Sequence, residues 1–308
     1  MIESRSTWHY PSGVDMRIGV HLVNFGLAGG PTALGSTIAE AGRAAEEAGL
    51  DNVSVMDHYF QMDGMGLGDA EAPMLEAYTT LGFLAANTST VELQALVTGV
   101  TYRYPGLLAK IVTTLDVLSS GRAMLGIGAA WYEREHLGLG VPFPPLSERF
   151  ERLEESLQII LQMWSDNNGP YQGEYYLLDE TICQPPPICT PHAPIMIGGS
   201  GELKTLRRVA KYADACNLFA RPDTGPETVA AKLEVLERHC ADQGTDYSQI
   251  RKTILWAASV DPASAAGGDD FVEQMRGFSD VGITEVHVMP FQDPVAFIRG
   301  LGDNVVPV

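Results

Sequence analysis

Two clusters of residues have the types and spacing that chemistry needs. The first is the adjacent pair Asp57 and His58, which follows an apolar run and therefore stands at the end of a predicted strand. A histidine in that position can act as a general acid or base near neutral pH, or hydrogen-bond a ring carbonyl, while a neighbouring carboxylate orients it. A structural pairing of the two side chains is the alternative interpretation.

The second cluster is a turn of small residues between a strand and a helix: Gly198, Gly199, Ser200 and Gly201. Glycines let backbone N–H groups converge, Ser200 is a candidate N-cap, and the start of a helix attracts an anion. Basic residues follow in the predicted helix, at Lys204, Arg207, Arg208 and Lys211. The pattern predicts a phosphate site. An ordinary tight turn with a solvated basic face is the alternative.

Two weaker candidates also stand at predicted strand ends. Small residues at Gly99, Val100 and Thr101 would let a flat ring lie against the backbone, or they simply end a strand. The stretch that contains Gly128 and Trp131 would form an aromatic pocket wall or the cap of a helix.

Composition and charge narrow the possible partners. The 308 residues are 45% hydrophobic and carry a net charge of −19, which argues against nucleic acid and anionic membranes and favours a small-molecule substrate. The four cysteines lack metal-ligand spacing, so no metal site is expected. No apolar run is long enough to span a membrane, and residues 1–15 lack the apolar centre of a signal peptide. We therefore expect a cytoplasmic protein.

Apolar strands alternate with helices along the chain. Eight strands are predicted, each followed by a helix: Met16–Leu22, Asn52–Asp57, Val91–Thr98, Arg122–Ile127, Ile195–Ile197, Ala215–Ala220, Thr253–Val260 and Glu285–Met289. Eight such units predict a single α/β domain over residues 1–308, a closed (β/α)8 TIM barrel, with a doubly wound open sheet as the alternative. Residues 166–193 are predicted to form an insertion before the fifth strand, with a short hairpin over 171–178.

Barrel enzymes place their active groups at the C-terminal ends of the strands. That rule selects the clusters described above and adds Asn217 and residues 290–292. The motifs G-x-G-x-x-G after the first strand, G-x-S-x-G and H-E-x-x-H are missing, so the sequence supports neither a Rossmann fold nor those hydrolases.

The motifs taken together resemble a known family. VMDH at 55–58, VTGVTYRYPGLLAK at 97–110, LDVLSSGRAMLGIGAAWYEREH at 115–136, SERFERLEESLQII at 147–160 and PIMIGGSGELKTLRRVAKYADACN at 194–217 are similar to the luciferase-like monooxygenase superfamily. Within it, the chain most resembles the coenzyme F420-dependent oxidoreductases. The resemblance covers almost the whole chain after residue 15.

This resemblance implies a deazaflavin in the barrel mouth and hydride transfer between its C5 and a small organic substrate. Asp57 and His58 would lie beside the ring, with His58 as the proton donor or acceptor, and Gly198–Gly201 would hold the phosphate. It also implies that Trp131 and Glu135 help to line the pocket, that Gly99–Val100 is a non-prolyl cis peptide, and that the second and third helices form a homodimer.

Two alternatives stay open at this point. FMN shares the ring outline and the ribityl phosphate with the deazaflavin, so an FMN-dependent monooxygenase that uses molecular oxygen would carry the same turn. A barrel that has lost catalysis and serves as a scaffold is the second alternative. The aromatic residue that follows the histidine in sugar-phosphate relatives is not evident among residues 61–65, so the resemblance leaves the substrate open.

Overall fold

A closed barrel of eight parallel strands forms the centre of the molecule in the computed structural model, which describes residues 16–63 and 66–306. The strands are β1 (Arg17–Leu22), β2 (Asn52–Val55), β3 (Glu92–Ala95) continued by β4 (Thr98–Gly99), β5 (Ala123–Gly128), β8 (Ile195–Gly198), β9 (Ala215–Ala220), β10 (Arg251–Trp256) and β11 (Glu285–Val288). Pairing of β1 with β11 and of β3 with β5 closes the ring. The predicted TIM barrel is confirmed, and the open sheet is wrong.

Helices surround this barrel. They are α1 (Pro31–Glu47), α2 (Ala77–Asn87), α3 (Pro105–Leu118), α4 (Glu133–Leu139), α5 (Leu146–Met163), α6 (Thr205–Tyr212), α7 (Pro226–Gln243), α8 (Ala265–Asp280) and α9 (Pro294–Asn304). A strand packed between the barrel interior and a helix layer is buried on both faces, which explains why all six residues of β5 are buried. Within the described ranges, no helix has the length and apolar character of a membrane span.

The core directly under the C-terminal strand ends is a separate small cluster. Leu96, Met124, Met196 and Ala215 are buried together, and Leu255 packs against them. Close-packed side chains of this kind resist compression. The cluster therefore provides rigid packing beneath the strand ends.

The predicted insertion contains the expected hairpin. Strands β6 (Tyr171–Gln172) and β7 (Leu177–Leu178) pair in antiparallel fashion. Glu155 of α5 fixes the turn by accepting backbone N–H groups of Glu174 at 2.6 Å and Tyr176 at 3.1 Å. The insertion is therefore attached to the helix that precedes it.

Several predicted boundaries are wrong. The sequence pattern predicts the first helix from about Ser36, but α1 begins at Pro31, because proline fits the first helical turn and Gly30 takes a positive φ of 65° before it. The sequence predicts a polar, proline-rich loop from after Trp131 to Pro145, but its first part forms α4. This helix has seven residues, too few for a clear apolar period. Residues 1–15, which contain the polar leader, lie outside the described part of the chain.

The third strand shows a further correction. The ladder stops after Ala95 and resumes at Thr98, and the non-prolyl cis peptide lies between Leu96 and Val97. The predicted position at Gly99–Val100 is wrong, because Gly99 is already back in regular parallel register with Gly128.

Candidate active site

A cavity of about 640 Å³ opens at the C-terminal end of the barrel. That volume lies in the usual range for small-molecule and cofactor sites. Seven of the eight barrel strands or the loops after them contribute to its lining: His21, Met56–His58, Leu96–Gly99, Gly128–Trp131, Gly198–Gly201, Asn217, Phe219 and Leu255. The predicted strand ends therefore meet around one space.

Asp57 is held by a buried arginine. Arg103 donates to both carboxylate oxygens, at 2.6 and 3.0 Å, and also to Glu76. Burial raises the pKa of Asp57, and the Arg103 guanidinium opposes that shift. Arg103 lies over the ring of Tyr78 at 4.7 Å, so the pair is fixed in place.

His58 is oriented by a glutamate from a distant part of the chain. Its Nδ1 lies 2.6 Å from Oε1 of Glu135, a fully buried residue of α4. Glu135 also accepts from Tyr102 and from the backbone N–H of Tyr59 at 2.7 Å. Burial raises the pKa of Glu135, but these donors outweigh it and hold that pKa below its ordinary value of 4.5. An ionised Glu135 therefore places the proton of neutral His58 on Nδ1 and leaves Nε2 as an acceptor.

Replacing Glu135 tests this arrangement. Glu135→Gln puts an amide donor against several existing donors, so we expect the free energy of unfolding at pH 7 to fall by about 1–3 kcal/mol. A carboxyl group whose pKa is lower in the folded than in the unfolded protein stabilises the fold at pH values above its ordinary pKa. That stabilisation is lost as the pH falls through the folded-state pKa. The difference from wild type should therefore narrow below about pH 4.5 in urea denaturation curves.

Glu133→Gln is the matched control for that measurement, because Glu133 is an exposed residue of the same helix. The urea unfolding curve of Glu133→Gln should match that of wild type at neutral and at acid pH. A constant loss of stability in Glu135→Gln from neutral to acid pH would contradict the role given to the ionised carboxylate.

The glycine turn also lines the cavity. Gly199 has a φ of +119°, and its N–H donates to the carbonyl oxygen of Asn217 at 3.0 Å. A side chain there would be strained, and its β-carbon would lie 3.4 Å from Thr205. The backbone conformation of the turn therefore favours glycine at this position.

Helix α6 starts later than predicted. It begins at Thr205, with Lys204 as its first flanking residue, so Ser200 is not the N-cap. The carbonyl oxygen of Gly201 instead accepts the N–H groups of Thr205 and Leu206. Lys204 lies 5.5 Å from the centre of the Phe150 ring, which lines the cavity. A cation therefore stands beside the turn, although Arg208 is paired with Glu154 at 2.9 Å.

Most predicted site residues line this cavity: Asp57, His58, Gly99, Gly128, Trp131, Gly198, Gly199, Ser200, Gly201 and Asn217. Val100 and Thr101 do not. Val100 points into the main hydrophobic core, and the Thr101 hydroxyl lies 2.6 Å from Nε2 of His136. Of residues 290–292, Phe291 and Gln292 line a separate cavity of about 600 Å³ between the loops after β1 and β11, and Pro290 does not.

Sequence reasoning missed several functional positions. Arg103 and Tyr102 lie within a family motif and carry no separate site signal. Glu135 is predicted to line the pocket but is fully buried and contacts Nδ1 of His58. His21 and Phe150 line the cavity from a strand and a helix that carried no site signal. An arginine in a mostly apolar strand-to-helix loop was the available clue to Arg103.

This barrel, with its ligand cavity at the C-terminal strand ends, matches a known family. A family model for luciferase-like monooxygenases matches residues 16–296, so the chain belongs to the luciferase-like monooxygenase family. The predicted resemblance is confirmed.

Individual relatives narrow the comparison. An F420-dependent glucose-6-phosphate dehydrogenase of Kineococcus radiotolerans is 34% identical over 270 residues, which cover 85% of this chain and 74% of the relative. The coenzyme F420-dependent tetrahydromethanopterin reductase of Methanopyrus kandleri is 18% identical with a TM-score of 0.76, covering 95% of this chain and 99% of that one. A long-chain alkane monooxygenase is 14% identical, also with a TM-score of 0.76, covering 95% and 90%. At sequence identities this low, similarity between the structures shows the fold alone.

Proposed function

We propose that this protein is a coenzyme F420-dependent oxidoreductase that moves a hydride between the deazaflavin C5 and a small organic substrate. The observation that carries the proposal is that one cavity joins the glycine turn at Gly198–Gly201 to the His58–Glu135 pair. The name of the Kineococcus radiotolerans relative supports the choice of cofactor.

The lining residues fit such a cofactor. Gly198–Gly201 and Lys204 would hold its phosphate, because small residues leave backbone groups accessible and the ammonium adds positive charge. Gly99 and Gly128, which pair in register, would let a flat ring approach the backbone. When bound, the deazaflavin supplies the two-electron chemistry, and the protein positions the reactants and excludes water.

His58 would carry the proton in this reaction. Its Nε2 is the ring nitrogen that Glu135 leaves available, so it can take a proton from a substrate hydroxyl or return one to a carbonyl. Asp57 would act through its fixed charge, since Arg103 occupies both of its oxygens.

Fluorescence titration of the apoprotein tests the cofactor directly. We expect saturable binding of F420 and much weaker binding of FMN. Tighter binding of FMN, with oxygen consumption in the presence of a reductant, would favour the monooxygenase alternative. Binding of neither would favour the scaffold alternative and would refute the proposal.

We further propose a homodimer formed through α2 and α3. These helices expose apolar side chains, at Phe83, Leu107 and Leu118, and Leu107 is 63% exposed. Large exposed apolar side chains close together are typical of protein interfaces. We expect a dimer mass by light scattering for the wild type and a larger monomer fraction for Leu107→Glu.

Leu203→Glu is the control for the dimer, because Leu203 is even more exposed but lies outside α2 and α3. It should stay dimeric. A monomeric wild type, or equal dissociation of both variants, would rule out this interface.

A further inference from the structure

The cavity beside His58 is poor in positive charge. Among the residues the structure describes, no lysine or arginine lines it. A bound phosphate requires charge-assisted hydrogen bonds, most often from arginine or lysine. Accepting the cofactor and the role of His58 proposed above, we infer that the substrate is a neutral alcohol with apolar substituents, or the matching carbonyl compound, and not a sugar phosphate.

The arginines just behind the cavity wall are engaged elsewhere. Each has a partner: Arg103 with Asp57, Arg149 with the carbonyl oxygen of Ala129 at 3.2 Å, and Arg208 with Glu154 at 2.9 Å. Removing a buried arginine from its partner would leave an unpaired charge, which costs several kcal/mol. These residues are therefore poor candidates for holding a substrate phosphate.

Two other cations lie next to aromatic side chains that line the cavity. Lys204 lies by the glycine turn, where the cofactor phosphate is proposed to bind. Arg221 follows β9 and stacks on Phe219, with its guanidinium carbon 4.9 Å from the ring centre. Arg221 is exposed, so among the described residues it is the cation best placed to recognise a phosphorylated substrate.

The electrostatic surroundings also disfavour a second anion. Asp57 and Glu135 are both buried next to His58, and the whole chain has a net charge of −19. The Arg103 guanidinium offsets the charge of Asp57, but a substrate phosphate near His58 would be repelled by the ionised Glu135 in a medium that screens charge less than water does. A neutral substrate meets no such repulsion.

The wall near His58 is apolar and adaptable. Met56 and Met62 line the cavity and belong to a buried cluster with Val23, Tyr132 and Met289. Phe60 and Leu255 pack against the same cluster. Methionine side chains are flexible and polarisable, so they fill the space around irregular apolar groups. This wall therefore favours hydrocarbon substituents.

The chemistry of the pair His58 and Glu135 agrees with an alcohol. Nε2 of His58 would accept the hydroxyl proton of the alcohol while the hydride of the same carbon would pass to the oxidised deazaflavin, so that the C–O single bond would become C=O. Two electrons and both hydrogens are thereby transferred, and no other oxidant is needed. In reverse, His58 would return the proton to the carbonyl oxygen, and the reduced deazaflavin would supply the hydride.

A matched set of substrates tests this inference. Binding of F420 is first measured by fluorescence, and turnover is then followed at the F420 absorbance with cyclohexanol, menthol, glucose and glucose 6-phosphate. We expect turnover of cyclohexanol or menthol. We also expect a kcat/KM for glucose 6-phosphate within about threefold of that for glucose, since none of the lysines and arginines that the structure describes lines the cavity to bind the phosphate. Arg221→Ala should leave the ratio between the two sugars unchanged.

One variant adds the missing charge. Met62→Lys places an ammonium in the apolar wall, and we expect kcat/KM for cyclohexanol to fall at least about tenfold because the charge opposes an apolar substituent. Leu177→Lys adds the same charge at an exposed position of β7 and should change nothing.

The outcomes separate the two proposals. Failure to bind F420 overturns the proposed function and the substrate class with it. Binding of F420 with a kcat/KM for glucose 6-phosphate at least about tenfold above that for glucose, lost in Arg221→Ala, overturns the substrate class alone. The substrate class alone is also overturned if the protein binds F420 but turns over no neutral alcohol, and reduces neither cyclohexanone nor menthone with the reduced cofactor.

Discussion

His58→Ala is expected to lower kcat by about 10²–10⁴-fold, the range typical for the loss of a general acid or base. The dissociation constant for F420 should change much less, because the cofactor phosphate is proposed to bind at the glycine turn and not at His58. Steady-state turnover and fluorescence titration of the same preparation measure the two effects separately. The fold should survive, since Glu135 keeps the N–H donors of Tyr59 and Phe60.

His239→Ala is the control for this experiment, because His239 hydrogen-bonds only a backbone carbonyl in an exposed position. Its kinetics should match wild type. A His58→Ala enzyme that turns over normally but binds F420 poorly would show that His58 holds the cofactor and does not transfer the proton.

Gly199→Asp is expected to have the opposite effect: it should weaken F420 binding and leave kcat nearly unchanged. The substitution strains a backbone with φ of +119° and puts a carboxylate where the cofactor phosphate is proposed to bind. Strain of this kind costs about 1–3 kcal/mol, so with charge repulsion the dissociation constant for F420 should rise by about 10²-fold or more. At saturating F420, kcat should stay close to wild type.

Gly282→Asp controls for backbone strain and added charge. Gly282 has a φ of +99°, and a β-carbon added there would meet no other atom within 4 Å. The variant should lose some thermal stability but bind F420 normally. Equal loss of F420 binding in both variants would show that the effect of Gly199→Asp comes from destabilisation and not from the turn.

The barrel was predictable because its signal is repeated. Each strand is an apolar run and each helix has an apolar stripe, such as Leu153, Leu157 and Ile160 of α5, all fully buried. Eight such units define the closed fold even when individual boundaries are displaced. The start of α1 and the existence of α4 were missed because a short or proline-led helix has little periodicity to detect.

The candidate site was predictable only in part, for a different reason. Single strand ends such as Asp57–His58 and Gly198–Gly201 carry local signals, and the barrel rule brings them together. The residues that contact these strand ends carry no such local signal in the sequence. Glu135 lies 77 positions from His58 and Arg103 lies 46 positions from Asp57, so only the fold reveals that they touch. Val100 was misplaced because a strand end does not show which side chain faces inward.

The hydrogen bond between α4 and the loop after β2 limits how this enzyme can change. Loops at a barrel mouth ordinarily diverge one at a time, which lets new specificities arise on an old scaffold. Here the segment bearing Glu135 and the segment bearing His58 are fastened to each other by the side chain on which proton transfer is proposed to depend. Grafting either segment alone from a relative would misalign the base, whereas transplanting both together would preserve it.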